Sequence, residues 1–273
     1  MSARFPDLSG ISIAGLETTI VVPSLRLAFD MGRCTSSAVK QRWVLLSHGH
    51  LDHVGAITQH AARRALMKMP EGIYLVPAAI HEAIERLFNA AGELDGHAIP
   101  RRIVPLEPEQ DYELSGGRFV RPFRTFHRVP SQGYTIWERR HRLRAEFRRL
   151  PSVELARLRR QGVVLDEPHE VPVLSFTGDT RIEVIEQTPE LGAVDTLILE
   201  TSFLDQRVSV TEARAMGHVH LDEVIARHEL FNGRDVVFSH FSARYGAPDI
   251  HQALTRLPDS LRPRVRALPF NAD

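Results

Sequence analysis

Short apolar runs separated by turn residues open the chain. Ile11-Ser12-Ile13, Thr18-Thr19-Ile20-Val21-Val22 and the stretch 25–30 read as strands, with Gly15 and Pro23-Ser24 between them. Residues 43–47 read as a buried strand, 53–67 as a helix, and 73–76 as a short strand stopped by Pro77. Over 78–91 the apolar residues Ile80, Ile84, Leu87 and Phe88 recur on one side, the spacing of an amphipathic helix. Strands are predicted at 102–106 and 119–123, with Gly116-Gly117 as a hairpin turn before the second. More follow at 173–177, 196–199 and 235–239, and helices near 221–230 and 248–256. Strands with helices interleaved predict an α/β layered sandwich, expected as a single domain over 1–273.

One segment breaks the pattern. In 138–162 the residues Leu143, Phe147 and Leu150 stand at helical spacing, with Arg140, Arg144 and Arg148 on an adjacent stripe. Pro151 interrupts the run, which resumes over 153–158 before Gly162. The expectation is a basic helical hairpin inserted in the domain. From Arg139 to Arg160 nine arginines face two glutamates, so +7 is concentrated there in a chain of zero formal charge. A basic segment on an otherwise acidic body is an electrostatic footprint for a polyanion.

Composition adds less. Hydrophobic residues at 43% and charged residues at 25% are ordinary for a folded globular chain and argue against disorder. A single cysteine, Cys34, rules out an intrachain disulfide and suits a reducing compartment. The first residues carry no apolar core of signal-peptide length, and no apolar run reaches bilayer length. The expected location is the cytoplasm, away from membranes.

Candidate chemistry is concentrated directly after the strand at 43–47. The run Ser47-His48-Gly49-His50-Leu51-Asp52-His53 packs three imidazoles and a carboxylate into six positions. Those are the donors that Zn²⁺ and similar ions prefer. Alternation at a strand end turns His48 and His50 the same way, while Asp52 and His53 begin a helix. Other strands also end in candidate ligands: 119–123 leads to His127, 173–177 to Asp179, and 235–239 to His240. Ligands at successive strand ends converge on one edge of a sheet. Two ions account for the set: His48, His50 and His127 for one, Asp52, His53 and His240 for the other, and Asp179 bridging. Such a pair of cations, about 3.5–4 Å apart, polarises a phosphoryl oxygen and yields a hydroxide nucleophile between them. Asp30, at the end of its own strand, is placed to hydrogen-bond ligands from below. Zn²⁺ is expected, and Mn²⁺ or Fe²⁺ suit the same donors.

Further motifs narrow the reading. They are Pro130-Ser131-Gln132-Gly133-Tyr134, Phe176-Thr177-Gly178-Asp179-Thr180, Glu200-Thr201-Ser202-Phe203-Leu204, Gly217-His218-Val219-His220 and His240-Phe241-Ser242-Ala243-Arg244-Tyr245. With the histidine cluster they make the chain resemble the metallo-β-lactamase superfamily, and within it the short form of tRNase Z (ribonuclease Z), most like the plant-type enzymes. The resemblance implies a four-layer αββα sandwich, two zinc ions, a homodimer and removal of 3′ trailers from precursor tRNA. It also assigns Glu200 and His218 as a pair that protonates the leaving group; Asp52 is expected as a ligand that also takes the proton of water. It makes 138–162 an arm that grips the tRNA body through Arg140, Arg144 and Arg148. Ser242 and Arg244 are expected on the phosphate path. The sequence departs from the family at Thr201-Ser202, where Ala-Thr is common. Rival readings are a phosphodiesterase for small or cyclic substrates, a thioester or lactone hydrolase, and a metal-stabilised RNA-binding protein that does not cut.

Overall fold

A computed structural model of the protein describes residues 7–268. Strands β1 Ser9–Ala14, β2 Glu17–Val22, β3 Leu27–Phe29, β4 Trp43–Leu45, β5 Gly72–Pro77 and β6 Arg101–Leu106 come first. They are followed by β7 Tyr112–Glu113, β8 Arg118–Arg124, β9 Gln132–Leu143, β10 Asp166–Phe176, β11 Thr196–Glu200 and β12 Asp235–Ser239. Phe241–Ser242 is β13 and Val265–Ala267 is β14. Two seven-stranded sheets result, in the orders β13-β1-β2-β3-β4-β5-β6 and β14-β12-β11-β10-β9-β8-β7. Helices α1 Leu51–Val54, α2 Ile57–Leu66 and α3 His81–Asp95 lie in the first half of the chain. The second half carries α4 Ser152–Arg160, α5 Glu183–Gln187, α6 Glu190–Ala193, α7 Val210–Met216, α8 Leu221–Ala226 and α9 Ala247–Thr255.

Alternation along the strands explains the layering. In β5, Ile73 and Leu75 enter the core between the sheets, while Tyr74 and Val76 face the helical layer of α2 and α3. In β11, Ile198 points inward, while Leu197 and Leu199 pack under the helices of the second half. Strands buried on both faces read as unbroken apolar runs, which is why these were visible in the sequence. Tyr134 and Phe176 of the second sheet meet Phe29 and Leu45 of the first; the Phe29 and Phe176 rings stand 4.8 Å apart. Helix α3 buries Ile84, Phe88 and Gly92 at four-residue spacing and stops at Gly96, whose N–H bonds back to Gly92.

The helical hairpin expected over 138–162 is not formed. Strand β9 runs on to Leu143 and pairs antiparallel with β10 from Asp166, so Leu143↔Asp166 through Arg139↔Glu170 form a two-stranded ribbon beyond the end of β8. Only α4 at its tip is helical, after a 3₁₀ turn at Ala145–Phe147. The apolar spacing misled because Leu143, Phe147 and Leu150 lie on a strand, a 3₁₀ turn and a loop, and not on one helix face. The charge is also less than it looked. Glu138 takes Arg140 at 2.8 Å, Glu167 takes Arg142 at 2.8 Å, Glu113 takes Arg139 at 2.7 Å, Asp166 takes Arg159 at 3.0 Å, and Glu154 pairs with Arg157. Four of these five acidic partners lie outside the span 139–160 over which the charge was counted.

Candidate active site

The site lies where strand ends of the two sheets meet. Ser47 ties them together: its carbonyl accepts from Gln132 N at 3.0 Å, and His48 forms an isolated bridge with Ser131. On the other side β12 belongs to one sheet and β13 to the other, so the chain crosses between sheets at His240. That crossing puts His240 at φ +59°, and Asp30, at its own strand end, stands at +55°. Non-glycine residues held in the left-handed region mark positions where the surrounding structure overrides local preference.

Seven side chains converge there. His48, His50, His127 and Asp179 form one group, and Asp52, His53 and His240 another. In the first, His48 Nε2 stands 3.0 Å from His50 Nδ1, and His127 Nε2 is 3.4 Å from the same atom. Asp179 Oδ2 lies 3.7 Å from His48 Nε2 and 4.0 Å from His127 Nε2. In the second, His53 Nε2 and His240 Nε2 are 3.2 Å apart, and Asp52 Oδ2 is 3.5 and 3.7 Å from them. The other oxygen of Asp179, Oδ1, is 3.4 Å from His53 and 3.3 Å from His240. One carboxylate therefore turns one oxygen to each group.

These separations suit divalent cations. With bonds of about 2.0–2.1 Å, the ligand atoms of a tetrahedral ion stand about 3.4 Å from one another. Asp179 Oδ1 is buried without a hydrogen-bond partner, as an atom reserved for a cation would be. The electrostatics ask for positive charge too. Burial would push Asp179 up, yet His240, His53 and His48 hold it well below the carboxylate range. Burial disfavours charge on His53, but Asp179 and Asp30 keep its imidazole well above the usual value. Asp52 is likewise held down against burial, chiefly by His240 and His53.

Three of the candidate ligand rings are oriented through their other nitrogen. His53 Nδ1 donates to Asp30 Oδ2 at 2.7 Å, and His127 Nδ1 donates to the carbonyl of Gly217 at 3.0 Å. His48 Nδ1 meets Ser47 Oγ at 3.0 Å, and that hydroxyl donates to Asp30 Oδ2 at 2.8 Å. Two glycines make these approaches possible. Gly178 has φ +58°, and a Cβ there would lie 2.5 Å from Ser47 Cβ. Gly217 ends α7 at φ +85°, where a Cβ would come 2.8 Å from His127 Nδ1.

Beyond the ligands stands a second pair. Glu200, at the end of β11 and 1% exposed, accepts from His218 Nδ1 at 2.9 Å. Its Oε1 also takes Thr180 N, and its Oε2 takes both N and Oγ of Ser202. Burial pulls His218 down, but the charge and hydrogen bond of Glu200 raise it to about 9. The His218 ring lies 5.1 Å from that of His127 and stacks on His240 at 5.5 Å. His220, two residues on, is instead structural: it caps α8, and its Nε2 donates to the Asp205 carbonyl.

Sequence reasoning named every one of these ionisable groups, but it quoted Ser47, Thr180, Ser202 and Gly217 only inside motifs and gave them no role. Nothing in their spacing marks them. Arg244 turns its Nε to Ser242 Oγ at 3.0 Å and lies over the Phe203 ring. Arg140, Arg144 and Arg148 are on the ribbon or its tip.

The Beta-lactamase superfamily domain matches residues 22–241. The tRNase Z TRZ1 of Arabidopsis thaliana is 36% identical over 96% of this chain and 94% of its own length. The nuclear ribonuclease Z of Triticum aestivum is 40% identical over 57% of this chain and 89% of its own. Among solved structures, the short form of human tRNase Z superposes with a TM-score of 0.61 at 18% identity, covering 87% of this chain and 92% of that one, a likeness of fold. With its two sheets sandwiched between helices, the chain belongs to the β-lactamase superfamily and, within it, to the tRNase Z (ribonuclease Z) family.

Proposed function

We propose that the protein is a two-zinc endoribonuclease that removes 3′ trailers from precursor tRNA. The observation that carries this reading is the Glu200–His218 pair: His218 stands with Asp179 and His240 in a third group of donors, but its Nδ1 is held by Glu200, which belongs to none of the groups. A hydrolase that expels a good leaving group has no need of it; expelling a ribose 3′ oxygen from a phosphodiester requires a proton donor. The relatives named tRNase Z support the same substrate. They do not favour small or cyclic phosphodiesters.

His48, His50, His127 and Asp179 would hold one ion; Asp52, His53, His240 and the second oxygen of Asp179 would hold the other. When bound, the two cations supply Lewis acidity at the phosphoryl group and activate water near neutral pH, and Mn²⁺ or Fe²⁺ suit the same donors. Asp52 faces that space and takes the proton of the attacking water. His218, held by Glu200, delivers a proton to the departing 3′ oxygen. The products are a tRNA with a free 3′-hydroxyl and a trailer with a 5′-phosphate. Asp30 keeps His53 and, through Ser47, His48 in their ligating tautomers.

The ribbon between β9 and β10 serves as the arm for the tRNA body, with its contacts at the tip. Arg144, Arg148 and Arg149 form no ion pair among the described residues, whereas Arg140 is held by Glu138. Phosphate contacts of this kind read the shape of folded RNA more than its sequence. Ser242 and Arg244 line the phosphate path. No helix among the described residues is long and apolar enough to cross a membrane. We take the enzyme to act as a homodimer in the cytoplasm, which light scattering and fractionation check.

The deciding assay incubates zinc-loaded protein with a trailer-bearing precursor tRNA, beside His218→Ala. Cleavage next to the discriminator base is expected, slowed about 10²–10⁴-fold in the variant. An intact precursor after incubation with the zinc-loaded wild type overturns the proposal.

A further inference from the structure

We propose that Ser202 is a positioning residue that locks the tautomers of His240 and His218 with one hydroxyl, joining the metal ligand to the proton donor; the second half of the claim rests on the function proposed above. Ser202 is fully buried, at 0% exposure. Its Oγ lies 2.8 Å from Glu200 Oε2, 3.1 Å from His240 Nδ1 and 3.4 Å from His218 Nδ1. A hydroxyl has one proton to give and two lone pairs to accept with, and an ionised carboxylate can only accept. The proton therefore goes to Glu200. Both imidazoles then face lone pairs, so both carry their proton on Nδ1. For His240 this leaves Nε2 bare, the nitrogen that faces Asp179 Oδ1 at 3.3 Å. For His218 it leaves Nδ1–H shared between Glu200 Oε1 and Ser202, and directs the exchangeable proton to Nε2.

The same device occurs on the other side of the cluster. Asp30 accepts from Ser47 Oγ, that hydroxyl accepts from the ligand His48, and Asp30 also accepts from His53 directly. Glu200 stands to Ser202, His240 and His218 as Asp30 stands to Ser47, His48 and His53. The difference is in the ring held directly by the carboxylate. His53 belongs to one of the two groups that together hold all seven candidate ligands, whereas His218 belongs to neither and meets the cluster through a third, with Asp179 and His240. One carboxylate–serine unit thus serves two ligands, and the other serves a ligand and an acid. Such outer partners commonly change metal affinity 10–100-fold when removed.

The test compares Ser202→Ala with the isosteric pair Ser202→Thr and Ser202→Val, which separates the hydroxyl from volume and folding. Zinc affinity is read by chelator competition. Turnover is read on precursor tRNA and on an aryl phosphodiester, whose phenolate leaves without a proton. Ser202→Ala and Ser202→Val are expected to lose one of two zinc ions about 10–100-fold more readily. They should also slow tRNA cleavage more than aryl ester cleavage, and Ser202→Thr should restore both. Wild-type zinc affinity in Ser202→Val, or equal behaviour of the Thr and Val variants, overturns the proposal. If the wild type binds two zinc ions but leaves tRNA intact, the nuclease reading falls, while the affinities of the Thr and Val variants still judge Ser202.

Discussion

His60 should make the fold sensitive to mild acid. It is fully buried on α2, where its Nε2 donates to the Gln41 carbonyl at 3.2 Å and its Nδ1 accepts from the Tyr74 hydroxyl at 2.7 Å. Burial, reinforced by the positive charge of Arg64, pushes its imidazole down to about 4. An unfolded histidine titrates near 6.5, so between those values the unfolded chain binds the extra proton. A depressed histidine therefore contributes stability that is full above about pH 6.5 and is lost as the pH falls toward about 4. At 1.36 kcal/mol per unit the whole shift is worth about 3 kcal/mol, of which about 2 kcal/mol is gone by pH 5. The perturbation is His60→Gln, which keeps a donor for Gln41 without titrating. Urea denaturation of the metal-free protein from pH 7.5 to 5 yields stability against pH for both proteins. Every other titrating group is common to both proteins and cancels in the difference. The two curves should converge toward acid, the wild type falling more steeply by about 1 kcal/mol per pH unit near pH 5.5. Parallel curves would refute the reasoning, whatever the offset between them.

Other outcomes follow from the same geometry. Asp30→Asn puts an amide N–H against one of three donors, Ser47 N, Ser47 Oγ or His53 Nδ1, and should weaken zinc binding about 10–100-fold in chelator competition. Phe176→Ala empties a site that is 2% exposed against Phe29 and should cost about 3–5 kcal/mol in thermal or urea unfolding. Combined replacement of Arg144, Arg148 and Arg149 by Ala should raise KM for precursor tRNA with little change in kcat. It should also flatten the salt dependence by about 0.7–0.9 per lost phosphate contact. Replacing the paired Arg139 and Arg142 should do much less, since Glu113 and Glu167 already neutralise them.

The parts of the site legible in the sequence were those whose chemistry is carried by residue type at a strand end. His48, Asp179 and His240 each follow an apolar run, and apolar runs buried on both faces are hard to mistake, while His127 follows a strand that Arg121 and Arg124 interrupt. The ribbon was misread for the opposite reason. Over 138–143 polar residues occupy nearly every position, because both faces of the extended β9 are open to solvent there, so no period of two survives to announce a strand. The arginine count failed in the same place, since a strand pairs its charges with residues across the ladder, 25 positions away for Arg142 and Glu167.

The sequence by itself determined the inventory: five imidazoles and two carboxylates at or just beyond strand ends, a Glu and a His that the family resemblance marks as an acid pair, and apolar strands with helices interleaved, the pattern of an α/β sandwich. Spacing along a chain carries only local geometry, so it reached no further than the corner from His48 to His53. Tertiary structure decided the rest. His53 and His240 stand 187 positions apart in the chain and 3.2 Å apart in space because one sheet ends where the other begins. That meeting turns one oxygen of Asp179 to each ligand group and places a serine under His48 and another under His240. Serine is too common for its position to be read from composition. Only the three-dimensional approach of a buried carboxylate, a hydroxyl and a ring nitrogen gives it a role, and that approach is a property of the packed sheets.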